Sequence, residues 1–329
     1  MSSPRQTNGL LAGLLVVAVA VFGGLAPGRF FDAGTLRSMA FQLPELGLLA
    51  LAMMIPLISG GLNLAIVATA NLSGLVMAVV LTQQLGPASS PVATGGVIVL
   101  ALLAGLGAAL LTGLLSGAIV AWLRIHPILV TLGTMMLVKG GSIAATHGGV
   151  IGGFPPAILF LGNGTVLGVP VSILIFAGCA LVVALLLKRT PFGVSVRLIG
   201  SNEPAVRFSG VNTARVLIGV YVASSALCWV AALVMIARFN SARAGYAESY
   251  LLITILAAVL GGVDPFGGFG RVAGVVLALV LLQVIATGFN LLGFSPQLTE
   301  AMWGATMILA LVAAPLRARW ENRRARSGS

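Results

Sequence analysis

The chain has 329 residues, 59% of them hydrophobic and only 8% charged, with a mean hydropathy of +1.11. Soluble domains carry about 25% charged residues, so a water-soluble globule is excluded and lipid must solvate much of the surface. The net charge of +11 is spread between apolar runs instead of gathered on one face, which argues against nucleic acid and for basic loops at a membrane.

Apolar runs read against charge and turn signals predict ten spans in one all-α, polytopic bundle occupying residues 1–329 as a single domain. They fall near Leu10–Phe30, Leu43–Ser59, Leu62–Leu81, Val92–Leu123, Ile128–Thr146, Val169–Leu187, Val216–Ala237, Tyr250–Gly262, Val272–Phe289 and Leu298–Pro315. The first resembles a signal peptide, but its length and lack of a small-residue cleavage pattern favour an uncleaved span. The fourth exceeds what a bilayer needs and must tilt or protrude. The second and eighth are short, and each stops at a Gly-Gly pair. With the N-terminus inside, 13 of the 18 Lys and Arg residues fall on the cytoplasmic side. That bias predicts N-in and C-in, with residues 1–9 a cytoplasmic N-terminus and 316–329 a basic cytoplasmic tail.

Two connections are long enough to fold. His147–Pro170, rich in Gly and Pro, reads as an irregular or re-entrant outer segment. Leu187–Arg215 is the largest cytoplasmic loop. There Ser201-Asn202 followed by Glu203-Pro204 is a helix-start signal, and Gly210 is a stop after about Ser209.

Chemistry is sparse. His126 and His147 lie at opposite ends of one predicted span, and Cys179 and Cys228 sit in apolar runs without metal spacing. A membrane-embedded enzyme would need a cluster of His, Asp, Glu or Cys that the sequence lacks. An ion-coupled carrier keeps carboxylates within its spans, where only Glu300 and Glu45 could serve. A phosphate-binding loop needs Gly-Lys-Ser or Gly-Lys-Thr, yet Lys139 precedes Gly and Lys188 precedes Arg. No catalytic residue, metal or cofactor is expected on this chain, so active transport would require ATP and Mg on a partner. Lys139, inside a span, should face protein or snorkel outward.

The stretch LAAVLGGVDPFGGFGRVAGVVLALVL (256–281) sets Gly261, Gly262, Asp264, Gly267, Gly268 and Arg271 between two apolar runs. Pro265 stops the helix, so a tight cytoplasmic turn beside the Leu187–Arg215 loop is expected, with Asp264 either paired to Arg271 or hydrated. A weaker echo is Gly60-Gly61-Leu62-Asn63 against Gly261-Gly262-Val263-Asp264, as if two halves descended from one unit.

Together with GGLNLAIVATANLSGLVMAVV (60–80), RIHPILVTLGTMMLVKGG (124–141) and IGSNEPAVRFSGVN (199–212), this stretch resembles, in order and spacing, the ribose-type permeases. Those are membrane subunits of bacterial ABC importers for monosaccharides and small polyols. The resemblance runs from about Leu43 to Ala314. It implies an inner-membrane location and a partner permease as homodimer or heterodimer. It also implies a cytoplasmic ABC ATPase and a periplasmic binding protein delivering a pentose, another sugar or autoinducer-2. It further implies that Asn202, Glu203, Ala205, Phe208, Ser209 and Gly210 form the coupling helix that engages the ATPase. A pathway for a neutral polyol could be lined by Asn63, Asn71, Ser73, Thr131, Thr134, Thr254, Gln283 and Asn290, although for any single one hydrogen bonding to a neighbouring helix is the favoured role. The family commonly reads Gly-Gly-Ile-Asp-Leu-Ser where this chain has Asn63 and Ala65. It also tends to carry Pro-Phe where His126-Pro127-Ile128 stands. The competing reading is an ion-coupled carrier or channel for a small polar solute.

Overall fold

The computed structural model describes residues 4–84, 91–295, 297–305 and 308. It is a helical bundle: α1 (Pro4–Leu25), α2 (Pro27–Phe30), α3 (Ala33–Ile58), α4 (Ile66–Gln84), α5 (Pro91–Leu123), α6 (Pro127–Thr146), α7 (Pro156–Asn163), α8 (Val171–Arg189), α9 (Pro191–Phe208), α10 (Thr213–Phe239), α11 (Tyr250–Leu260) and α12 (Val272–Leu291). Among the described residues eight helices are long and apolar enough to cross a membrane: α1, α3, α4, α5, α6, α8, α10 and α12. The ninth predicted crossing, α11, has 11 residues and so extends about 16 Å, half a bilayer core. The tenth begins as helix at 297–305; half of the predicted span and the 316–329 tail lie outside the described residues.

The core is the trio α3, α4 and α10, with α5, α11 and α12 around it. Residues Leu48 to Ile58 of α3 are almost wholly buried, because this part of the helix is enclosed by neighbouring helices. By contrast Leu111 on α5, Met136 and Leu137 on α6, and Val182 on α8 are over 60% exposed, as lipid-facing side chains would be. Small residues set the helix spacing. A Cβ at Gly113 would lie 2.8 Å from the Tyr221 carbonyl oxygen, and one at Gly117 would lie 2.9 Å from Ile218 Cα, so α5 and α10 approach backbone to backbone.

Several boundaries differ from the sequence reading. The second span is 26 residues, beginning at Ala33 instead of Leu43. Its first half looked too polar to be a span, but Gln42 accepts from Gln283 on α12 and buried Glu45 is bound by Arg238. The connection 147–170 is an ordered cap. Strand β1 (Ile151–Gly152) pairs antiparallel with β4 (Ser241–Ala242), and β2 (Thr165–Val166) with β3 (Val169–Pro170). Asn163 Nδ2 donates to the Ala237 carbonyl at 2.8 Å, which fixes α7 to the end of α10. His126 and His147 are the two caps of α6, and His126 Nδ1 accepts from the Ile128 amide. Lys139 turns outward to an ion pair with Glu248 at 2.9 Å, each side chain about half exposed.

Candidate functional site: a glycine joint beneath a short exposed helix

The predicted short helix is the second half of a longer element. α9 starts at Pro191, where Thr190 Oγ1 accepts from the Gly193 amide at 3.2 Å, and it breaks at Asn202 (φ −163°, ψ 89°). Its first half carries no local helix signal because Val194, Val196 and Ile199 are β-branched; tertiary contact of Gly193 with Leu187 and of Phe192 with Gly219 holds that half instead. At the break Asn202 caps a new turn, its Oδ1 accepting from the Ala205 amide at 3.1 Å. Glu203 and Pro204 occupy the first turn, and Ser209 Oγ donates back to the Ala205 carbonyl. Gly210, at φ +82°, ends the helix. Glu203 Oε1 lies 3.0 Å from Arg207 one turn on. Phe208 is 94% exposed.

The stem of this helix rests on backbone. Gly200 sits where a Cβ would fall on the Ile58 carbonyl oxygen and the Gly268 amide nitrogen. Gly268 donates its N–H to the Ile58 carbonyl at 2.8 Å, so a turn far away in sequence satisfies one of the orphan carbonyls at the end of α3. At Gly267 (φ +96°) a Cβ would lie 2.7 Å from Gly60 N and 2.8 Å from Gly200 O. Three segments, 58–61, 200–202 and 264–268, thus meet chiefly backbone to backbone through glycines, with the Ser201 side chain against Gly268. This end of the bundle is also the basic one: Arg124, Lys188, Arg189, Arg207, Arg215 and Arg271 are all exposed there.

The 261–271 turn closes on itself. Gly262 (φ +81°) and Val263 bond back to Val259 and Ala258 in a helix-ending motif. Gly261 presses on the α12 backbone at Gly274 and Val275. Asp264 Oδ1 accepts from the Phe266 amide at 2.9 Å and its carbonyl from Gly267 at 3.0 Å. Of the two roles open to Asp264 it takes a third: it caps its own turn, and no ion pair with Arg271 forms among the described residues. The echo with 60–63 has a physical basis but a shifted register. Gly60 (φ +82°) and Gly61 bond back to Leu57 and Pro56, and Asn63 Oδ1 accepts from the Ala65 amide at 3.1 Å. The left-handed glycine is therefore first of the pair at 60 and second at 262.

The eight polar positions considered for a pathway do not converge. Asn63 Nδ2 donates to Ser224 Oγ at 3.0 Å, and Ser224 donates to the Ala52 carbonyl. Ser73 binds the Gly105 carbonyl, Thr131 reaches the Leu62 carbonyl, and Thr134 accepts from Ser116 on α5. Thr254 bonds within α11, Gln283 reaches Gln42 on α3, and Asn290 is exposed near the end of α12. Asn71 holds the Ala244 and Tyr246 carbonyls, both at 2.9 Å, beside a cavity of only about 10 Å³. Six of the eight tie one element to another, while Thr254 bonds within its own helix and Asn290 is exposed. The roomier cleft, about 450 Å³, opens at the opposite end of the bundle between Phe239, Ser241, Tyr246, Ala247, Ser249 and Tyr250. Sequence reasoning missed it; its one signal was the polar run 240–250 with two tyrosines before the short eighth span.

The family described as branched-chain amino acid transport system, permease component, matches residues 35–311. The chain belongs to this permease family. Among curated relatives, the "Autoinducer 2 import system permease protein LsrD" of Yersinia enterocolitica is 33% identical over 308 residues, 92% of this chain and 89% of that protein. The proteins of the same name from Photorhabdus laumondii and Photorhabdus temperata are 31% and 32% identical over the same shares. No solved structure matches. The permease is thus a multi-pass membrane transport subunit, as its composition and eight long apolar helices require.

One departure from the family pattern acquires a reason. Ser224 spends its only proton on the Ala52 carbonyl at 2.7 Å, so it can accept from the Asn63 amide but has nothing to offer a carboxylate. Asn63→Asp is expected to cost this permease about 1–2 kcal/mol, read as earlier thermal unfolding in detergent. Asn63→Asp combined with Ser224→Ala should lose less than the two single losses added.

Proposed function

We propose that this permease is the translocation subunit of an ATP-driven importer in a bacterial inner membrane, with both chain ends inside. It works as a pair with a second permease, a cytoplasmic ABC ATPase supplies ATP and Mg, and a periplasmic binding protein delivers a monosaccharide or small polyol. The observation that carries this reading is the capped helix Glu203–Phe208 on the basic end: a short exposed helix tipped by an exposed phenylalanine and seated on a backbone joint. An isolated carrier has no use for such a projection. A sugar-like cargo, sooner than a branched-chain amino acid, is favoured by relatives named for autoinducer-2 import. It is also favoured by the outer cleft, whose serine and tyrosine hydroxyls and aromatic rings suit a neutral polyol better than a charged amino acid. The buried Glu45 is already committed to Arg238, which weakens the ion-coupled alternative.

The test is purification of the tagged chain from its host in mild detergent. A near-stoichiometric ATPase and ATP-dependent uptake of a labelled sugar are expected; a chain that purifies alone and moves solute without ATP overturns the reading. Phe208→Asp should leave the chain inserted at normal levels while lowering uptake to about a tenth or less, the effect of losing one central anchor from an interface.

A further inference from the structure

Resting on that reading, we infer that the 264–269 turn is a second docking element for the ATPase, with Phe266 as its anchor, and that it engages the same subunit as Phe208. Most exposed apolar side chains of this permease lie on spans, where lipid covers them. Phe266 does not: it stands on a turn beyond the end of α11, is 89% exposed, and is followed by Phe269 at 57%. Two exposed phenylalanines three residues apart on one turn form a patch instead of a scattered residue, the kind of surface that marks an interaction site.

The turn presents Phe266 in one geometry. Its amide is held by Asp264 Oδ1 at 2.9 Å, and the next amide by the Asp264 carbonyl at 3.0 Å. A turn backbone so fixed loses little freedom on docking. The turn is also continuous with the coupling helix. Gly267 and Gly268 press on Gly200 and Ser201, one residue before the Asn202 cap, with the Gly268–Ile58 hydrogen bond closing the joint. A partner that moves the coupling helix must therefore move or brace the turn.

Charge names the partner's chemistry. Arg207 on the helix, Arg215 after it and Arg271 after the turn are all exposed. The complementary surface is a pair of apolar pockets with an acidic rim on one protein. A lipid headgroup layer would also accept a basic, aromatic turn, but it would have no reason to couple that turn rigidly to a helix already assigned to a protein cleft.

The experiment uses the whole complex purified from its host, comparing wild type, Phe266→Asp, Phe266→Trp and Phe208→Asp by ATPase-to-permease ratio and by uptake. Size-exclusion profiles check that each variant is folded. Phe266→Asp is expected to lower retained ATPase about tenfold at unchanged permease level, with Phe208→Asp doing the same. If Phe208→Asp loses the ATPase and Phe266→Asp keeps it with normal uptake, the second contact is overturned while the importer reading stands. If both retain it, both readings fall. If Phe266→Asp loses uptake at full ATPase stoichiometry while Phe266→Trp is normal, the turn is seated in lipid headgroups and the docking role is overturned.

Discussion

Gly200→Ala is expected to abolish ATP-dependent uptake while the permease still inserts and retains its ATPase. The methyl group would fall on the Ile58 carbonyl oxygen and the Gly268 amide nitrogen, the two atoms of the hydrogen bond that closes the joint. Neither is the far end of a flexible side chain that could swing away. The loop carrying Gly200 must lift, and overpacking of this kind costs about 1–3 kcal/mol. Paid locally, that is too little to unfold a bundle whose core lies around α3, α4 and α10, but enough to part the coupling helix from the turn. Uptake in vesicles, ATPase retention and detergent stability together separate this from misfolding. Gly267→Val should behave similarly, since its φ of +96° disfavours any branched side chain and its Cβ would meet Gly60 and Gly200. Gly133→Val, on an open face of α6 with nothing within 4 Å, is the control and should transport normally. Loss of uptake in all three would reduce the joint to ordinary packing.

Why the joint could not be read from the sequence is instructive. Each of its parts was visible as a local signal: Gly60-Gly61 ending one span, Ser201-Asn202 starting a helix, Gly267-Gly268 in a turn. Helix starts and stops are local, because caps satisfy backbone groups within four residues; hence the helix from Glu203 to Phe208 and the brevity of α11 were legible. Contact between Gly60, Gly200 and Gly267 is not local, and glycine carries no side-chain preference that would betray its neighbours. Spans were legible for a different reason, since lipid demands self-satisfied helices of apolar residues. That rule fails where protein replaces lipid. α3 is sheathed by other helices from Pro44 to Ile58, where Glu45 is tolerated. Its first ten residues, with Arg37 exposed and Gln42 tied to Gln283, are only partly covered, and the polarity criterion cut the helix ten residues short. The same enclosure explains why the polar residues gathered as pathway candidates are mostly interhelical ties: inside a bundle a threonine or asparagine is worth keeping simply for the bond it makes.

The largest stability effect is expected at that concealed polar residue. Glu45 has a side chain with no exposure, bound by Arg238 Nη1 at 2.8 Å, and its other oxygen has no hydrogen-bond partner among the described residues. Removing the cation leaves a buried carboxylate with nothing to offset its lost hydration, a cost of about 3–5 kcal/mol. Arg238→Met should therefore unfold far earlier in detergent than wild type. Glu45→Met should be milder, because the Arg238 side chain is 21% exposed, lies 5.5 Å from the Phe239 ring at the end of α10, and can turn toward water. The double variant Glu45→Met with Arg238→Met should recover most of the loss, since apolar replacement of a whole buried pair is often neutral. If the double variant loses as much as the two single losses added, the pair contributes no coupling. The pair also separates two jobs of α3. Its middle is tied to α10 by Glu45, and its far end accepts the Gly268 hydrogen bond that seats the coupling helix. A double variant that is stable yet transports poorly would mean that the ion pair fixes the angle of α3, and through Ile58 the height of the joint, in addition to holding the bundle together.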